Sequence, residues 1–154
     1  MNKLETIQLY HQLIETEKVK IPETVLRVKA LKKVEDLAEA YYQLQDFEVY
    51  RSRVVNGYRS MGVALYWTEF ANKLSPRDAK LLVYLRDRDD FETLAWAVKD
   101  KNGTPDFLLL RDKEMQFVEV KSNNETVKTS TVEFFIKYGH LWPISILRIV
   151  KECT

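Results

Sequence analysis

Apolar positions follow two rhythms along the chain. Between residues 3 and 18, Leu4, Ile7, Leu9, Leu13 and Ile14 recur near a helical period, which predicts an N-terminal helix. Ile21-Pro22-Glu23 interrupts it, with proline suited to a helix first turn. A second helix is expected from Thr24 to Gln45, on a stripe of Val28, Leu31, Val34, Ala38 and Tyr41 in steps of three and four. Phe47–Val55 is rich in β-branched and aromatic residues and reads as a strand, closed by an Asn56-Gly57 turn. Val63–Lys73 reads as helix. Ser75-Pro76-Arg77-Asp78 then opens another, with serine as N-cap, proline first and an acid third. Phe91–Val98 admits two readings: Asp89 and Glu92 are spaced like a capping box, yet Leu94, Trp96 and Val98 alternate like a strand.

After an Asn102-Gly103 turn, the rhythm becomes period two. Phe107–Leu110 and Met115–Lys121 flank the short polar run Arg111–Glu114, which predicts an antiparallel hairpin. Thr126–Tyr138 is expected as helix with Gly139 at its C-terminal boundary, and Pro143–Val150 as the last strand. Strands mixed with helices in this order predict an α/β chain: a central mixed sheet with helices on its faces.

A length of 154 residues suits one domain, and 45% hydrophobic residues suffice for a core. No apolar run reaches the roughly 20 residues of a membrane helix. Glu5 and His11 break the N-terminus where a signal peptide would be apolar, so no membrane partner and a cytoplasmic, intracellular setting are expected. The single cysteine, Cys153, excludes an internal disulfide and a multi-cysteine metal site. His11 and His140 are isolated, which leaves zinc without ligands, and no phosphate-binding glycine motif is present. Trp67, Trp96, Trp142 and Tyr84 are expected in the core. Net charge is +1, so a nucleic-acid footprint has to be local. The first positive cluster is Arg51, Arg53 and Arg59, with Tyr50 and Tyr58 among them.

The chemistry-bearing segment is Pro105-Asp106 followed by Glu119-Val120-Lys121. On a strand, Met115, Phe117, Glu119 and Lys121 share one face, while Gln116, Val118 and Val120 share the other. The hairpin returns Asp106 beside Glu119. Two carboxylates and an ammonium then gather at the end of an apolar hairpin. Such a set suits a hard cation such as Mg²⁺, which takes one or two carboxylates, keeps several waters and meets substrate phosphate. Asp106, Glu119 and the Val120 carbonyl are the metal-ligand candidates, and Lys121 is placed to orient water and offset phosphoryl charge.

These residues resemble the signature of the PD-(D/E)XK nuclease superfamily, in particular VRR-NUC nucleases and archaeal Holliday-junction resolvases. Upstream, Glu35 on the expected helix lies twelve residues before Phe47, an offset similar to that of the resolvase pattern. The resemblance covers residues 24–60 and 103–150, with 62–98 as a helical insertion. It implies a single nuclease domain over 1–154 with a restriction-endonuclease-like αβββαβ core, an N-terminal helix and metal-dependent hydrolysis of DNA phosphodiesters. It also implies Mg²⁺ as cofactor, with Mn²⁺ able to substitute, and catalytic roles for Glu35, Asp106, Glu119 and Lys121. DNA phosphates would meet Arg51, Arg53, Arg59 and Lys128. A homodimer is a further expectation, with the inserted helices a place for it.

Three departures stand against the pattern. Asp46 replaces the expected glycine, the insertion is longer and more helical than in a resolvase, and the glutamine of the VRR-NUC helix is missing where Lys128, Thr131 and Glu133 stand. Glu39 competes with Glu35 for the helical acid, since residues four apart face alike. Two other readings stay open: a DNA-binding or assembly subunit that keeps the fold without catalysis, and an unrelated α+β interaction protein.

Overall fold

The computed structural model describes residues 20–51, 75–99 and 103–152, together with Glu5 and Gln8. The rest of the expected 3–18 helix, the end of the 47–55 strand, the Asn56-Gly57 turn and the 63–73 helix lie outside the described residues, as do Arg53, Tyr58, Arg59, Trp67 and Cys153. The chain forms two compact units, residues 1–51 with 105–154, and residues 52–104.

The first unit is built on a five-stranded mixed sheet. Its strands are β1 (Glu23–Val28), β2 (Glu48–Arg51), β3 (Phe107–Arg111), β4 (Glu114–Ser122) and β5 (Ile144–Lys151), in the spatial order β1-β5-β4-β3-β2. β2, β3 and β4 pair antiparallel, while β5 runs parallel to both β4 and β1. Among the described residues two helices serve this sheet, α1 (Val34–Gln43) and, further along, α4 (Thr129–Tyr138). α4 lies between β4 and β5, the helical crossover that joins parallel neighbours. From α1 onward the unit thus reads helix, three strands, helix, strand, with β1 added in front.

Alternation along the strands separates two faces. On one, Val49, Phe107, Leu109, Val118, Val120, Leu147 and Ile149 pack with Ala38 and Tyr42 of α1. On the other, Ile146 packs with Val132 of α4. There Phe117 meets Phe134 and Trp142 edge-on, with ring centroids 5.4 and 5.8 Å apart.

The helix expected from Thr24 begins instead at Val34, and Glu23–Val28 is the edge strand β1. Pro22 therefore starts no helix; its carbonyl accepts from Ile146 N at 2.8 Å. β5 is buried along most of its length and needs a neighbour on its outer side, which Thr24, Val25 and Val28 supply as strand formers. The 28-31-34-38 stripe still faces inward: Ala38 is buried, and Val28, Leu31 and Val34 are half-buried against the α1-side core. It runs across a strand, a turn and a helix, and Lys33 with φ 54° makes the break.

Asp46 occupies the position where the resemblance expected glycine, and its φ is 67°. Phe47 N donates to the Tyr42 carbonyl at 3.2 Å and Asp46 N to the Gln43 carbonyl at 3.0 Å, a Schellman-type helix end. The Tyr42 and Phe47 rings close over it, 5.9 Å apart. Aspartate is tolerated in this left-handed region but is less at ease there than glycine. Asp46→Gly is expected to stabilise the protein by about 1 kcal/mol, read as a higher urea midpoint at unchanged slope.

Gly139 follows the last helical residue as expected, but with φ −64° and not in the left-handed region. What constrains it is space: a Cβ there would lie 2.5 Å from the Phe135 carbonyl oxygen.

The second unit holds α2 (Pro76–Arg86) and α3 (Phe91–Lys99). Ser75 caps α2 by accepting from Asp78 N at 3.2 Å, with Pro76 in the first turn, as the sequence predicts. Residues 91–98, open between helix and strand, are helical: Leu94, Ala95, Ala97 and Val98 are buried on one side. Trp96, expected in the core, points outward and is 63% exposed. Trp142 is buried as expected, Tyr84 half-buried, and His140 exposed.

Candidate functional site

The hairpin register fixes the centre of the site. Phe107 pairs with Val118, so the residue before β3, Asp106, comes opposite Glu119. β3 begins there while β4 runs on to Ser122, so among the described residues β4 has no strand partner beyond Val118 on that side. The Asp106 carboxylate fills the gap by accepting from Val120 N at 2.8 Å. In a ladder, a residue's N–H and C=O point to the same side. The Val120 carbonyl therefore also opens toward the place where β3 begins, beside Asp106.

Glu119 and Lys121 are almost fully buried, at 7% and 3% exposure, on the α4 face of the sheet. The Thr131 hydroxyl on α4 donates to Glu119 Oε2 at 2.5 Å. That contact brings the first turn of α4, with its partial positive charge, against the carboxylate. Lys121 Nζ lies 3.3 Å from Glu125 Oε2. Glu125 is held below the usual carboxylate range: burial favours its neutral form, but the Ser122 N–H and the Lys121 ammonium outweigh it.

Asp106 is pushed up to about 7. Burial is the largest cause, followed by a hydrogen bond to the Glu119 carboxyl and by the repulsion of its charge. The Val120 N–H and the Lys121 ammonium pull the other way without winning. A proton on Asp106 relieves the crowding of the two carboxyls. A bound cation would serve the same end.

On the α1 face lies a second set. Arg51 Nη2 is 2.6 Å from Asp36 Oδ1 and 2.8 Å from Glu39 Oε2, and Arg51 Nη1 is 3.5 Å from Glu35 Oε2. These contacts, the Asp36 hydrogen bond foremost, raise the guanidinium's affinity for its proton still further. Arg51 pairs across the ladder with Phe107, next to Asp106, and its guanidinium carbon lies 5.9 Å from that ring's centroid.

Asp106, Glu119 and Val120 are thus brought together, with Lys121 on the Glu119 face. Glu35 and Arg51 are placed with each other, and of the two candidate helical acids Glu39 is nearer to the guanidinium. Lys128 is exposed at the N-terminus of α4. Arg53 and Arg59 lie outside the described residues. Among the described residues, no three or more His, Cys, Asp or Glu side chains are grouped to hold a metal ion.

Two neighbours of the site were not singled out by the sequence reading. Thr131 entered only as a residue standing where a glutamine was expected. Its signal was the 131-134-138 stripe, which turns Thr131 toward the sheet with Phe134. Glu125 left no such signal, because its contacts arise from a turn. No described helix is long and apolar enough to cross a membrane. No protein-family model matches this sequence, and no curated protein matches it.

Proposed function

We propose that the chain is a metal-dependent endonuclease that hydrolyses DNA phosphodiesters, with a restriction-endonuclease-like fold of the PD-(D/E)XK type. The single observation that carries this reading is the meeting of Asp106 with Glu119 and the Val120 amide where β3 begins. The element order from α1 to β5 agrees with it.

The residues fit a hard cation through their donor set. Two carboxyls and a strand carbonyl turned to the side where β4 has no described strand partner supply oxygens only, and Mg²⁺ or Mn²⁺ completes such a set with water and phosphate. When bound, the cation would polarise a phosphoryl oxygen and make its bound water more acidic. Asp106 and Glu119 would hold it as carboxylates, Asp106 having given up its proton. Thr131 keeps the Glu119 carboxylate in one orientation. Lys121, buried on the same face, would face the attacking water and the charge that builds on the phosphate. Lys128 would meet the DNA backbone beside the N-terminus of α4, where the helix dipole favours anions.

Incubating the full chain with linear, flapped and four-way-branched DNA, with Mg²⁺ or with a chelator, tests the proposal. Scission that requires the metal is expected. Binding without scission would make the chain a non-catalytic DNA-binding subunit, and neither activity would leave an interaction protein. Lys121→Ala is expected to slow the cleavage step about a hundredfold while gel-shift affinity changes less than about threefold, since one ammonium is one charge among several. A variant that binds poorly yet turns over normally at saturation would make Lys121 a binding residue only.

A further inference from the structure

β1 is an edge strand: in the described sheet it has β5 on one side and no strand on the other. Its ladder shows which main-chain groups have no strand partner among the described residues. Ile146 N donates to the Pro22 carbonyl at 2.8 Å and Glu152 N to the Val28 carbonyl at 2.7 Å, so the even-numbered residues turn their main-chain groups to β5. By the same alternation Glu23, Val25 and Arg27 turn theirs outward. Their side chains also share a face, opposite Leu26 and Val28, which pack on the core. Val25 is 48% exposed and Arg27 is exposed. Open edges of this kind are templates for another strand.

The order of charges says which strand fits. Acid, valine and base at 23, 25 and 27 are complementary to themselves when reversed about Val25. An antiparallel copy sets Val25 against Val25, Glu23 against Arg27 and Arg27 against Glu23. All three are outward-facing pairs, so each exchanges both main-chain groups as a hydrogen-bonded pair. A two-fold axis through Val25 satisfies every pair at once, as a closed isologous interface requires. Glu23 already holds Arg148 through Oε1 at 2.9 Å, so an Arg27 opposite it would add a second cation to the same carboxylate. A parallel copy in register would set like charges side by side, which opposes a head-to-tail sheet.

We infer that the outer edge of β1 is a homodimer interface, formed by antiparallel pairing of residues 23–27 with the same residues of a second copy. This inference does not rest on the nuclease reading.

Sedimentation velocity on the full chain over a range of concentrations tests it. The wild type is expected to dimerise. Arg27→Glu, at an exposed position, places acid against acid twice and is expected to raise the dimer dissociation constant about tenfold or more. Val25→Pro removes an outward N–H that the sheet itself does not use, a place where an edge tolerates proline, and is expected to leave a folded monomer. Circular dichroism melts serve as the folding control. A monomeric wild type would overturn the inference, and so would a dimer indifferent to Arg27→Glu.

Discussion

Asp106→Asn and Glu119→Gln are each expected to slow Mg²⁺-dependent DNA cleavage on the order of a thousandfold while leaving the protein folded. Both amides keep the shape of the residue they replace. In Asp106→Asn the side chain retains an oxygen to accept from Val120 N, so the start of β3 stays closed. In Glu119→Gln the amide oxygen can still accept from the Thr131 hydroxyl. What is lost is one of two negative charges at the cation's place, and removing several kilocalories per mole of charge stabilisation costs this much in rate. Single-turnover kinetics at saturating protein separate this loss from binding. The fold is expected to gain, because a neutral amide ends the crowding of two carboxyls. Asp106→Asn should be more stable than wild type by about 2 kcal/mol at pH 8 without metal, measured by urea unfolding. Cleavage at the wild-type rate by either variant would remove that residue from the site.

The second large effect is in pH. Asp106 holds its proton up to about 7, against 3.8 as the ordinary value. The native state therefore binds a proton that the unfolded chain has already released. Stability is expected to fall as pH rises from about 4 to about 7 and then to level off, the reverse of a carboxylate in an ion pair. Asp106→Asn should flatten that slope, and urea titrations across the range compare the two. Metal uptake runs the other way. The same proton has to leave before Asp106 can act as a ligand, so Mg²⁺ affinity should rise with pH up to about 7 and flatten above it. Calorimetry in two buffers of different ionisation enthalpy should show proton release at about pH 6 and little at about pH 8.5. Affinity independent of pH would contradict the proton held by Asp106.

The sequence made the hairpin and its register legible, because period-two alternation on both sides of a short polar turn leaves little choice of pairing. Asp106 beside Glu119 followed from that alone, as did the common face of Glu119 and Lys121. The edge strand β1 was not legible. The spacing of Val28, Leu31 and Val34 imitates a helix, and only the need to cover β5 turns Glu23–Val28 into a strand. Asp46 was a departure in the sequence, and in the structure it takes the left-handed φ that favours glycine. The helix over 91–99 was ambiguous because Leu94, Trp96 and Val98 fit either period. What decided it is Trp96 pointing outward while Leu94 and Val98 stay buried. Thr131 and Glu125 were harder still, since one reaches its partner from a packed helix and the other from a turn.

The most direct measurement of the central claim is a metal-triggered cleavage reaction. The full chain is first bound to end-labelled DNA, branched and linear, in chelator. Excess Mg²⁺ is then added, and strand products are followed in time for wild type and Asp106→Asn in parallel. The account predicts that scission begins on addition of Mg²⁺ with the wild type and is nearly absent with the variant, although both hold the DNA. Intact DNA in the wild-type complex after Mg²⁺, or equal scission by the two proteins, would contradict it.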